Sequence, residues 1–417
     1  MSNFKSMKKL SWRQSLLGIA ICLVATTMGS CSNDDEIIIT PPTADLSGII
    51  TENVTLKEGV TYKLSGEYRV SQGAQLIIEP GVTIEATSGG NTDYILIEKG
   101  AKIMAEGTKA APIVMTSNRK EPGAWAGLHI CGDARINLDG GTGKSEVGNA
   151  NYGGLNDADN SGVLSYVRVE YAGEKLNAEG TKEGNGVTFY GVGNGTTVDH
   201  VQAYKGTDDG FEFFGGCVNI KYMISTSNSD DSFDWTQGWR GKGQFLLAYQ
   251  EAVETLGYEC DALMECDNLE NNNANEPISH PTLANVTLIG NNSSTEKRGI
   301  RLRAGTEISL YNTIVTNKVK CITTQTAETE AALTSGKSVL QFIYLANTLT
   351  SESDGYSATL FAAGQGNAID QTFVWTDTYV GTIDGGKDMT TVDTFFDNAS
   401  YKGAIQVGNN WTEGWAI

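Results

Sequence analysis

The residues best suited to chemistry lie in two short stretches. Thr207, Asp208, Asp209, Gly210, Phe211, Glu212 and Phe213 are echoed 22 residues later by Ser229, Asp230, Asp231, Ser232, Phe233, Asp234 and Trp235. Strand alternation puts Phe211, Phe213, Phe233 and Trp235 on one face, and Glu212 with Asp234 on the other. Six carboxylates in two neighbouring repeats repel one another unless a cation, a hydrogen-bond donor or shared protons intervene. Three chemistries fit. The paired aspartates can cap backbone amides as a turn ladder. Asp208, Asp209, Asp230 and Asp231 can instead ligate a hard cation, for which an oxygen-only set favours calcium. Catalysis by acid and base is the third. Arg301 and Arg303 follow on the same outward face, either as ligand contacts or as an ion-pair ladder with the acids. Trp239 and Arg240 sit in a glycine-flanked loop, where an exposed indole stacks on a sugar or a peptide side chain, or else lids a coil. Glu212, Asp234, Trp239, Arg240, Arg301 and Arg303 therefore make up the candidate ligand surface.

Other constellations are missing. The glycine-rich run 191–195 lacks the lysine and helix of a phosphate loop. No CxxC spacing suggests zinc, and Cys260 with Cys266 is the only close cysteine pair in the exported chain. Of the three histidines, His200 lies on a second strand, and His129 and His280 lie in unrelated contexts.

The elements that must carry these residues repeat at short intervals. Leu56 to Tyr62 recurs as Ile78 to Ile84 and again as Ile97 to Ile103, each unit turning on Gly59, Gly81 or Gly100. The acidic stretches belong to a second series, Gly186 to Phe189, Gly210 to Phe213 and Ser232 to Trp235, with Arg298 to Arg303 as a later turn of the same strand. A second strand recurs at Tyr166, His200, Tyr222 and Asn285. Short strands, glycine turns and a period near twenty residues predict a right-handed parallel β-helix, a single-stranded solenoid whose stacked strands build one apolar core. A propeller blade would need a period of roughly 40 to 45 residues. Helix is expected only at 327–333, with Thr326 as N-cap, and 339–345 reads as an open choice that includes strand.

Composition sets the class and the address. The 417 residues carry 49 Gly, 30 Lys plus Arg and 50 Asp plus Glu, a formal charge of -20. Such acidity argues against a nucleic-acid partner. Residues 1–30 have the layout of a secretory signal, with Lys5, Lys8, Lys9 and Arg13 before an apolar run from Leu16 to Ala25. The run ends in Met28, Gly29, Ser30 and Cys31, which resembles a bacterial lipobox and makes Cys31 the expected lipidation site. Ser32 to Glu36 resembles the surface-export tag of Bacteroidetes lipoproteins. Residues 31–45, with Pro41 and Pro42, read as a tether, and 46–417 as the solenoid domain.

The stretches 123–137, 161–173, 207–219, 229–245 and 401–417 together resemble a family of Bacteroidetes surface lipoproteins. That family is similar to the pectin-lyase-like right-handed β-helix superfamily. The resemblance implies a fold and an outward-facing outer-membrane location. Polygalacturonase-type members of the superfamily place aspartates on consecutive coils and a basic residue on a later one, as here, but their histidine motif is absent from this chain. Lyases of the superfamily use calcium with an Arg or Lys base, a role open to Arg301 or Arg303. The expectation is a lipid-anchored binding protein for a glycan or peptide, accessory to an outer-membrane nutrient transporter. A polysaccharide-active enzyme and a structural or adhesive surface protein are the alternatives.

Overall fold

The computed structural model describes residues 43–87, 92–177 and 182–417. The signal, Cys31 and most of the tether lie outside these residues. Short strands stack in parallel register through successive coils. Val187–Tyr190, Phe211–Phe214 and Phe233–Thr236 pair so that Val187, Phe211 and Phe233 align, as do Thr188, Glu212 and Asp234. Met264–Cys266, Arg298–Leu302 and Lys320–Thr324 continue the same sheet. Alternation turns the apolar residues inward, and one buried cluster runs through the solenoid from Leu46 to Phe361. Each coil buries its apolar face against its neighbours rather than against a second sheet. This is the right-handed parallel β-helix that the repeats predict.

A longer strand completes each coil, as in Thr197–Tyr204, Asn219–Thr226 and Lys242–Tyr249. Each bends at one left-handed residue. Tyr166, His200, Tyr222, Phe245, Asn285, Asn312 and Phe342 have φ between 50° and 61°. Bulky residues there are strained by roughly 1–2 kcal/mol, and stacking offsets this. Ring centroids in the column lie 4.2 Å apart for Tyr166 and His200, 4.4 Å for His200 and Tyr222, and 4.9 Å for Tyr222 and Phe245. His200 is thus a stacking residue at a corner.

The structure corrects several details. Leu56 pairs with Ile78 as predicted, but Ile97 pairs with Val70 and Ile103 with Leu76, so the third unit turns at a different corner. The coil holding Phe245 stands between Tyr222 and Asn285. Residues 339–345 form a strand against Ser309–Thr316. Helix Ala327–Ser335 forms, but Thr326 makes no side-chain cap; its hydroxyl bonds Thr329 and the Gly305 amide instead. The final segment is no coil. Gly381–Asp384 and Tyr401–Ile405 pair antiparallel, and Ala404, Ile405 and Trp415 cover Ile224 and Leu247 on the outside of the long strands. Cys260 and Cys266 are both buried free thiols.

Candidate functional site

The outward column of the short strands organises the site. Thr188, Glu212, Asp234, Glu265 and Arg301 succeed one another in strict register, one per coil. Beneath them the aromatic residues pack inward, with Phe211 stacked on Phe233 at 5.4 Å and Phe189 on Phe213 at 5.2 Å. This packing fixes the direction of the acids, because a strand whose odd residues are locked in the core must present its even ones outward.

The turn before the strands supplies the aspartates. The Asp231 amide donates to Asp209 Oδ1 at 2.9 Å, and the Ala262 amide donates to Asp231 Oδ1 at 2.6 Å. Asp209 and Asp231 therefore form the turn ladder. Asp208 and Asp230 stand beside them, facing the cleft. Loops raise the remaining walls: Glu146 from the long excursion 132–160, Glu183 and Asn185 from the turn before Val187–Tyr190, and Asp261 from the turn before Met264–Cys266. Gly127 permits the Asn185 wall to come this close, since a Cβ there would meet the Asn185 carbonyl oxygen at 1.9 Å. The result is a cleft of about 390 Å³ lined by ten carboxyls, two guanidiniums and one amide among the described residues.

Such crowding shifts proton affinities upward. Burial, followed by the charges of Glu183 and Asp230, raises Asp208 to about 8. Burial and then Asp261 raise Asp230 to about 6. Burial raises Glu146 to about 7, against the pull of Lys182. Asp209, Glu212, Asp231 and Asp234 are all pushed well up, by burial first and by neighbouring carboxylates second. Carboxyl oxygens of Asp209, Glu212 and Asp234 lie within 4.8 Å of one another, as do those of Glu183, Asp208 and Asp230, and of Asp209, Asp230 and Asp231. These are separations at which one cation can serve several oxygens.

The arginines close one end. Arg301 bonds Glu265, and its Nε donates to Gln325 at 3.0 Å. Arg303 pairs with Glu265 at 2.8 Å, Asp267 at 2.7 Å and Glu270 at 3.2 Å. Both line the cleft, each through an ion-pair network with the later acids. The other two predicted contacts are corrected. Trp239 is 1% exposed and stacks on Phe213 at 4.1 Å inside the core, so it offers no ligand platform. Arg240 pairs with Asp157 at 3.3 Å, outside the cleft.

A family model described as a pectate-lyase-like β-helix domain matches residues 48–416, nearly the whole described chain. The chain belongs to the pectate-lyase-like β-helix domain family. No curated protein and no solved structure matches it.

In this pectate-lyase-like domain several site residues escaped the sequence reading. Glu265 follows the same alternation as Glu212 and Asp234, between Met264 and Cys266 in place of aromatics. Asn185 lies two residues before its strand, as Asp209 and Asp231 do before theirs. Glu146 and Glu183 sit on segments without periodicity, whereas Asp261 stands three residues before its strand, as Asp208 and Asp230 do before theirs. His129 shares the outward column, paired with Thr188, contrary to the unrelated context expected of it. It is fully buried, its Nε2 contacts the Ala126 carbonyl, and burial lowers it to about 4.

Proposed function

We propose that this chain is a calcium-dependent, non-catalytic glycan-binding β-helix. The observation that carries this reading is the convergence of ten carboxyls on one outward cleft whose lining holds two guanidiniums, with Lys175 paired to Glu183 at 2.9 Å beside it. A hard divalent cation relieves that repulsion with oxygen ligands alone, and a hydroxyl-bearing ligand completes its shell. The walls are almost wholly polar, which suits a glycan better than the apolar side chains of a peptide. A binding role is favoured over lyase chemistry because Arg301 and Arg303, the candidate bases, are tied to Glu265, Gln325, Asp267 and Glu270. The signal layout and Cys31 support a lipid anchor in the outer membrane, facing outward, and such an address suits an accessory to a nutrient transporter.

The test is affinity electrophoresis of the full chain through polygalacturonate and through a neutral arabinogalactan, with calcium or with chelator. Retardation in calcium alone, without unsaturated products absorbing in the ultraviolet, is the expected result. Product formation would make the chain a lyase. Equal mobility in every gel would remove these two glycans as ligands.

A further inference from the structure

A second cleft stands on earlier coils, and its charge is opposite to that of the first. Arg69 pairs with Leu96 across the strands Thr61–Val70 and Tyr94–Ile97, so the turns that follow them stack as neighbours, with Gln72 on one and Glu98 and Lys99 on the next. The third wall is a hairpin in which Gly143–Lys144 pairs antiparallel with Asn151–Tyr152. It closes on Arg69 through Gly148, whose φ is 69°; a Cβ there would stand 2.7 Å from Arg69 Nη2 and 2.6 Å from a Leu96 methyl. The hairpin thus gives Glu146 to the acidic cleft, and Lys144, Asn149 and Asn151 to a separate cleft of about 320 Å³.

In a chain with 50 acidic and 30 basic side chains, the lining of this cleft holds three cations and one carboxylate. Each cation is fixed but keeps donors unspent. Arg69 Nη1 donates to Glu98 at 3.2 Å and Nη2 to the Gly148 carbonyl, which leaves a second N–H on each nitrogen. Lys99 Nζ donates to Asp133 and to the Gly153 carbonyl, both at 3.1 Å, and has a third N–H. Lys144 is exposed, donates to the Asn149 carbonyl at 3.5 Å and pairs with no acid among the described residues. Three cationic heads on three walls exceed what a carboxylate asks for, since that group has one charge and two oxygens. A phosphate monoester carries about two charges and three strong acceptor oxygens, one for each head. The amides of Gln72, Asn149 and Asn151 complete the lining with groups that suit hydroxyls.

We propose that this second cleft binds a sugar phosphate, with Arg69, Lys99 and Lys144 on the phosphate and the three amides on the sugar hydroxyls. The site needs no cation and stands apart from the calcium reading above. Arg69 and Lys99 are held in place by their acids before any ligand arrives, and Lys144 supplies the charge that no acid offsets.

Calorimetric titration of the full chain in nonionic detergent, with chelator and at low salt, tests this with glucose 6-phosphate, inorganic phosphate and glucuronate. Glucose 6-phosphate should bind about tenfold or more tighter than glucuronate, and about threefold or more tighter than inorganic phosphate. K144A should weaken glucose 6-phosphate by about fivefold or more with circular dichroism unchanged, while K144R, which keeps the charge, should stay within about threefold of wild type. Glucuronate binding as tightly would make this a carboxylate site and overturn the phosphate assignment. Inorganic phosphate binding as tightly would remove the sugar from it. K144A binding as wild type does, or K144R losing as much as K144A, would take the ligand out of this cleft. A chain that binds calcium and glycan but none of these three anions would overturn this inference alone and leave the earlier reading standing.

Discussion

Asp230 gives the sharpest quantitative test of the cleft. Burial, followed by Asp261, Glu265 and Glu183, raises its carboxyl from the ordinary 3.8 to about 6. The folded chain therefore holds a proton that the unfolded chain has already lost. Stability contributed by that proton is fully present below pH ~4 and disappears as pH rises to about 6. At ~1.4 kcal/mol per pH unit the full shift would be ~3 kcal/mol, and because the Asp230 side chain is exposed to solvent, screening cuts the loss in the calcium-free protein to ~1.5 kcal/mol. Over the unit Pro41–Ile417 the unfolding entropy is ~0.8 kcal/mol per degree, so the loss appears as ~2 °C in melting temperature. Asp230→Asn keeps the shape and cannot ionise. In chelator, the variant should melt ~2 °C above wild type at pH 7.5 and converge with it near pH 4. Carboxyls lowered elsewhere, such as Asp393 by its hydrogen bond to Lys242, titrate identically in both proteins and cancel in the difference. Calcium at a thousandfold over its dissociation constant adds ~4 kcal/mol, restoring wild type by ~5 °C. A difference between the two proteins that does not change with pH, or a wild type more stable than Asp230→Asn at pH 7.5 in chelator, would refute the argument.

Two further outcomes follow from the core and the address. Phe233 is 2% exposed and stacked on Phe211, so Phe233→Ala should cost ~3–5 kcal/mol and lower the melting temperature by ~4–6 °C; a drop under ~1 °C would contradict the stacked column. Cys31→Ala should abolish incorporation of labelled fatty acid and release the chain from the membrane, and label still incorporated would end the lipoprotein assignment.

What could be read in the sequence was whatever repeats with period two. Glu212 and Asp234 were placed on one outward face because large aromatics flank them and force the alternation into view. Glu265 obeys the same geometry, but Met264 and Cys266 replace the aromatics and Ala262 replaces the ladder aspartate, so the lettering changes where the backbone does not. The left-handed corner residues hid for another reason: Tyr, His and Phe at positive φ are uncommon, and their stacking emerges only once the coils are superposed. Trp239 misled because glycines flank it. Gly241 serves packing rather than looseness, since a Cβ there would lie 2.6 Å from the indole nitrogen. The walls bearing Glu146 and Glu183 come from excursions whose path no local rule fixes.

The ladder and the cleft share atoms, and this constrains how a cation acts on the protein. Asp209 commits one carboxyl oxygen to the next coil's amide and brings the same carboxyl within 4.8 Å of the Glu212 and Asp234 carboxyl oxygens. Its ladder bond needs no cation, so on the proposed calcium reading chelator should leave the coil register intact while restoring the repulsion among Asp208, Asp209, Glu212 and Asp234. That repulsion is one-sided. Glu265 and Asp267 are paired with Arg301 and Arg303, whereas among the described residues no guanidinium forms an ion pair with the aspartates of the two earlier coils, of which Asp234 feels the Arg303 charge. The cleft is therefore polarised along the solenoid axis, with uncompensated acids toward the earlier coils and arginine-paired acids toward the later ones. On the proposed reading, a glycan bridged by calcium would meet the cation at the first end and the guanidinium networks at the second, which would give the ligand a direction along the solenoid axis.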